Sequence, residues 1–194
     1  MKAMNVLVIN GHPVKNSFCH ALAERYGVGA QSAGHSCHVV HLSDLVFNPN
    51  LEHGFSELPD PEPDVKALQD LITGANHLAF IFPTWWGTYP ALFKGFVDRV
   101  FLPGFAFQYQ HNSPFPITLM NGKTARIITT MDTPVWYYHL IYRGPGISSV
   151  KRSLLHFCGI RKVKTTIFSP VRKAQELQRQ RWLSRTEDLG RMVK

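Results

Sequence analysis

"HLAFIFPTWWGTYPALFKGFVDRVF" (residues 77–101) decides the fold of this chain. "HLAFIF" (77–82) is an almost unbroken apolar run of strand length, and its lack of polar alternation describes a strand buried on both faces. Pro83, Thr84, Trp85, Trp86 and Gly87 follow as a stiffened loop. "PALFKGFVDRVF" (90–101) then returns apolar residues at intervals of three and four, the period of a helix packing one face. Strand, loop and helix in this order make half of a parallel crossover unit.

The same unit repeats outward in both directions. "NVLVIN" (5–10), "CHVVHL" (37–42), "ARIITT" (125–130) and "KVKTTIF" (162–168) are further strand-like runs. Helical periodicity marks 17–33, 63–75, 148–159 and 172–190 between and after them. Parallel strands need crossover connections, and helices must then cover both faces. The expectation is a single α/β domain over residues 1–194, a doubly wound five-stranded parallel sheet of order 2-1-3-4-5. Ligands bind such sheets beyond the carboxyl ends of strands one and three, where the winding reverses. That places the loops 10–18 and 82–90 at a site. Segments 48–64 and 102–122 carry Pro and Gly and read as long loops.

Composition narrows the classes. No apolar stretch approaches the roughly 18 residues of a membrane span, so a cytoplasmic protein without membrane insertion is expected. Cys19, Cys37 and Cys158 show neither disulfide nor zinc spacing. The net charge of +8 is uneven: residues 1–150 hold nine Lys and Arg against ten Asp and Glu, net −1, while residues 151–194 hold twelve against three, net +9. A basic C-terminal face could attract a phosphorylated cofactor or an acidic protein. It lacks interleaved aromatics and any nucleic-acid module, and no nucleic-acid partner is expected.

In "NGHPVKNSF" (10–18), Asn16 and Ser17 are capping residues ahead of a helix. The free amides of that helix start, with His12 and Ser17, would suit a phosphate, although neither a P-loop nor G-x-G-x-x-G is present. Trp85 and Trp86 offer flat apolar walls at the same sheet edge, and Gly87 lets backbone approach a ligand. Taken one by one, a serine cap is ordinary helix punctuation and a tryptophan packs beneath a loop. Together the two loops suit a flat ligand with an anionic tail.

"GHPVKNSF", "FPTWWGTYPALFKGFVDRVF", "GFAF" and "LLHFCGI", in this order, resemble the flavodoxin-fold NAD(P)H:quinone oxidoreductases, the DT-diaphorase-like and modulator-of-drug-activity-B-like flavoproteins. The resemblance spans nearly the whole chain. It implies a bound flavin, FAD or alternatively FMN, with His12, Ser17 and Phe18 at its phosphate and Pro83, Thr84, Trp85, Trp86 and Gly87 along its ring. FAD is favoured on the long 43–62 loop and the Ser17-Phe18 pair. It further implies two-electron ping-pong transfer from NADPH or NADH to a quinone or similar aromatic acceptor, in a homodimer to which "GFAFQYQ" (104–110) lends a wall. Relatives continue with a T-T-G-G loop, a Tyr and a His. Here Thr129 and Thr130 match, Met131 and Asp132 replace the glycines, and Tyr137 falls at the catalytic Tyr position, with no certain counterpart for the His beyond His139. Asp132 beside a reduced flavin would be repulsive unless it points away, which suits a turn cap before Pro134. Lys94, Asp98 and Arg99 belong to the motif and read as structural charge pairs of small worth. The alternative function is a flavin-binding electron carrier or regulatory protein without a quinone substrate.

Overall fold

A computed structural model describes residues 3–52, 54, 55 and 60–193. Five parallel strands form the main sheet: β1 (Asn5–Asn10), β2 (Ser36–His41), β3 (His77–Pro83), β6 (Thr124–Thr130) and β7 (Lys162–Phe168), in the order β2-β1-β3-β6-β7. Counted among themselves these strands run 2-1-3-4-5, the expected doubly wound order. The three central strands are the most apolar, and every residue of β3 is buried.

Helices cover both faces. On one, α1 (Phe18–Ser32) and α6 (Glu176–Arg191) bury Leu22, Tyr26 and Trp182 against Val6, Val8, Ile81, Ile128 and Phe168. On the other, α2 (Pro63–Gly74), α3 (Ala91–Val100) and a π-helix (Ser149–His156) pack Leu68, Phe93, Phe96 and Leu155 onto Leu7, Phe80, Phe82 and Ile127. Both outer strands are less protected. β7 carries Lys162 and Lys164, exposed charges on an edge, which discourage pairing with another sheet and account for part of the basic C-terminal excess.

The 102–122 segment departs from the expected loop. It contains a two-stranded antiparallel hairpin, β4 (Phe107–Gln110) and β5 (Ser113–Thr118), separate from the main sheet. Of the aromatics expected there to face a partner, Phe107 is buried and Phe105 packs on the core, leaving Tyr109 exposed. Position Phe107 points inward because the hairpin folds back over Phe157, 4.9 Å away in ring centroids.

Lys94 and Asp98 form an i,i+4 pair on the surface of α3. Arg99 differs from the expected weak pair. Its guanidinium is 5% exposed, donates to the Asn48 carbonyl at 2.6 Å and pairs with Glu62 at 2.6 Å. The 43–62 segment, apart from residues 53 and 56–59, which lie outside the described residues, is thereby tied to α3. A Cβ on Gly95 would stand 2.4 Å from that of Pro49, so the contact requires glycine.

Candidate active site

The carboxyl ends of β1, β3 and β6 open onto two clefts that share Thr84. The sharing follows from how β3 ends. Thr84 N donates to the Thr130 carbonyl at 2.7 Å, and the Thr84 and Thr129 hydroxyls meet at 2.8 Å, so the loop leaves β3 still fastened to β6. Thr129 is fully buried in this bond and lines neither cleft.

The first cleft, about 230 Å³, collects His12, Phe18, Pro83, Trp85, Thr130 and Met131, with Asp132 at its rim. His12 Nδ1 accepts the Val14 amide at 3.0 Å, and partial burial holds the ring below the ordinary histidine pKa. The imidazole is therefore neutral with its proton on Nε2, a donor left free for a ligand. Its ring meets Trp85 edge-on at 5.5 Å. Ser17 takes the N-cap of α1, its Oγ accepting the His20 amide at 3.3 Å, and it does not line the cleft. No acidic residue occupies the first turn of α1. That end of the helix stays favourable to an anion by about 0.3–1 kcal/mol.

Sequence reading missed three contributors. Cys19 lines the cleft, and burial pushes its thiol up to about 12, so it stays protonated and offers no nucleophile. Val171 and Arg172 come from the loop after β7. Asp132 Oδ1 accepts the Arg172 amide at 2.6 Å, and Oδ2 lies 3.4 Å from Arg172 Nε. The carboxylate is thus turned to the 171–172 loop and partnered there, in place of the turn cap before Pro134.

The second cleft, about 430 Å³, lies beneath Trp86 and Gly87, with Thr133, Tyr142 and Pro145 opposite. Trp85 and Thr88 exchange both backbone hydrogen bonds, at 3.2 and 2.9 Å, around two residues of positive φ, Trp86 at 51° and Gly87 at 77°. This is the dihedral requirement of a type I′ turn, which leaves the amides of Trp86 and Gly87 without partners among the described residues. Trp86 is fully exposed. The opposite wall is docked by Gly146, whose amide donates to the Gly87 carbonyl at 3.1 Å. Tyr138, fully buried, accepts the Ile147 amide on its hydroxyl at 3.1 Å and anchors the same segment.

Tyr137 stands on a short helix, α4 (Val135–Leu140), and lines neither cleft. Its ring packs edge-on against Tyr142 at 5.0 Å, so Tyr142 is the aromatic that reaches the cleft. No nucleophile and general base sit within reach of each other in either cleft. The arrangement supplies walls, free amides and a neutral imidazole, which is what a bound redox cofactor needs from a protein.

The family pattern described as the flavodoxin-like fold matches residues 4–188. The chain belongs to that family. Among its relatives, an uncharacterized NAD(P)H oxidoreductase of Haemophilus influenzae is 29% identical over 87% of this chain and 85% of its own length. NAD(P)H dehydrogenase [quinone] 1 of Cavia porcellus is 29% identical over 79% of this chain, which spans only 64% of that protein. In three dimensions, an NAD(P)H:quinone oxidoreductase from Methanothermobacter marburgensis superposes with a TM-score of 0.78 at 26% identity, covering 98% of this chain and 96% of its own. The resemblance to quinone oxidoreductases drawn from the Trp-Trp-Gly motif therefore holds, and the relatives are oxidoreductases. No helix among the described residues is long and apolar enough to cross a membrane.

Proposed function

We propose that this chain is a flavin-dependent NAD(P)H oxidoreductase reducing quinones or similar flat aromatic acceptors. The observation that carries the reading is the pair of clefts joined at Thr84, one suited to an anionic tail and the other to a flat ring. Bound flavin would supply the chemistry, accepting a hydride from NADPH or NADH and passing two electrons to the acceptor. Everything else falls to the chain. His12 Nε2–H, the start of α1 and Arg172 would hold a phosphate. Pro83 to Gly87 would lie along the ring, with the unpartnered amides of Trp86 and Gly87 directed at its polar edge. Donor and acceptor would stack in turn on the open face of that ring, on the Tyr142 side of the second cleft, which is the physical content of a ping-pong scheme. Stacking there excludes water and holds flat partners parallel.

FAD is favoured over FMN on different ground from that read in the sequence. The described part of the 43–62 segment is tied to α3 through Asn48, Pro49 and Glu62, whereas a groove of about 540 Å³ uses the same 169–174 loop as the first cleft and is lined by Lys173, Gln175, Gln178 and Trp182, a setting for an adenosine. Trp86, Trp136, Leu140 and Ile141 are exposed beside the second cleft, and a second copy of the chain would cover them. The test is direct. Protein purified from cells should be yellow, release FAD on heating, and oxidise NADPH or NADH in the presence of a quinone. A colourless protein that takes up neither flavin would overturn the reading, and bound flavin without quinone-dependent turnover would leave the carrier or regulatory role.

A further inference from the structure

The carboxyl end of β2 gathers polar side chains that the flavin reading does not use. His41 closes that strand, and His20 and Glu24 lie one turn apart on α1. One ligating atom from each of the three lies within 4.8 Å of the other two. The imidazoles of His20 and His41 stack at 3.9 Å with 7° between their planes. His41 Nε2 is 2.9 Å from Glu24 Oε1, and His20 Nδ1 is buried with no hydrogen-bond partner among the described residues. A ring nitrogen without a partner, next to a second imidazole and a carboxylate, is a set of donors short of an acceptor.

We propose that His20, Glu24 and His41 form a site for one divalent transition metal of the zinc class. Two imidazoles and one carboxylate are the borderline nitrogen and oxygen set that such ions prefer, whereas calcium and magnesium demand shells of oxygen. Metal bonds of about 2.0–2.2 Å in a tetrahedral site put ligands roughly 3.4 Å apart. A metal lies in the plane of each imidazole it binds, so the two rings, now stacked with 7° between their planes, must tilt apart on binding while the half-exposed Glu24 side chain swings to the third position. The same exposure leaves a fourth position open to water.

Asn10 sets the conditions. Its Oδ1 accepts the His12 amide at 3.1 Å, which turns its amide nitrogen toward His41 Nδ1 at 3.0 Å. In that arrangement His41 Nδ1 accepts, and the ring proton sits on Nε2, donated to Glu24. Metal at Nε2 replaces that proton, and the neutral ring then carries its hydrogen on Nδ1. The Asn10 carboxamide must turn over to receive it and give up the His12 amide. An aspartate at position 10 would accept from both at once, the carboxylate–histidine–metal arrangement that orients ligands in many sites.

The test uses the full chain as purified, stripped with chelator, dialysed against micromolar Zn²⁺ and assayed for metal per chain. The expected result is one zinc per chain, bound at least about tenfold more weakly by His20→Ala and His41→Ala. His38→Ala, at an exposed histidine of the same strand outside the cluster, should bind as the parent does. Asn10→Asp should bind about tenfold more tightly. Should a histidine variant fail to fold, Glu24→Gln, at a half-exposed side chain, carries the same expected loss. Zinc uptake no greater than that of Glu24→Gln, equal loss in His38→Ala, or no tightening in Asn10→Asp would overturn the assignment.

Discussion

Replacing Trp86 by asparagine should make the protein more stable and less active. Trp86 holds φ 51° in a two-residue turn whose next residue, Gly87, is also left-handed. Left-handed backbone costs an ordinary L-residue about 1 kcal/mol, and Asn-Gly is the pair that this turn favours. The indole is fully exposed, so its removal forfeits no packing within the chain to offset the gain. The expected stabilisation of the flavin-free protein is about 1 kcal/mol, roughly 2–4 °C in melting temperature for a chain of this size. The proposed function adds the opposite effect. An indole face covering roughly 80 Å² of a flat ligand contributes about 2 kcal/mol, and its loss should lower kcat/KM for a quinone roughly 30-fold. Thermal unfolding by circular dichroism and steady-state quinone reduction read the two effects separately. A variant that melts at or below the parent temperature while keeping full activity would refute both the strain and the role of the ring.

Arg99→Met should cost about 2 kcal/mol in urea unfolding, because it leaves the Asn48 carbonyl without its donor and the partly exposed Glu62 carboxylate with only backbone amides. Burial alone would raise the Glu62 pKa, but the amides of Glu62 and Asn48 together with Arg99 outweigh it and hold the value below the ordinary 4.5. A depressed carboxylate stabilises the fold above its unfolded pKa and loses that contribution as pH falls through the folded one, so Glu62→Gln should flatten the loss of stability below about pH 4.5. His77 is held down to about 3 from 6.5 by burial first and by Arg126, His35 and Lys164 after it, with Tyr26 and Thr124 bonded to its two nitrogens. Between those values the unfolded chain takes up a proton that the folded chain does not, so stability is full above pH 6.5 and should fall by about 1.4 kcal/mol per pH unit below it. Urea midpoints at pH 7 and pH 5 should show this slope in the parent and not in His77→Gln. Gly146→Ala would place a Cβ 2.9 Å from Thr88 Cα and push the 84–88 turn off its seat, and fluorescence titration should show weaker flavin binding with little change in urea midpoint.

The strands of the main sheet were legible because parallel strands buried on both faces leave continuous apolar runs, as in residues 77–82. The hairpin at 107–118 was not, since Pro114 and Pro116 read as breakers. A proline lacks only the ladder donor, and a two-stranded hairpin with open edges tolerates that loss where a central strand would not. The two loops of the site were legible from their motifs and from the winding of the sheet. Arg172 and Tyr142 were not, because no local pattern distinguishes a residue brought in by a distant loop. A signal for Arg172 did exist: β7 lies beside β6, and its carboxyl end opens on the same edge. Tyr142 was hidden by three neighbouring aromatics of equal promise, and only the turn of α4 decides which one faces the cleft.

On the proposed function, the sharing of Thr84 by two clefts would make the site a chelator of its ligand. A flat ring in one chamber and an anion in the other would each surrender translational freedom and bind weakly, whereas a molecule that joins them surrenders it once. Affinity for the joined ligand should therefore far exceed that for either fragment. Inorganic phosphate and a tail-less flavin should displace it only poorly, and substitutions that damage one chamber should be felt as loss of the whole.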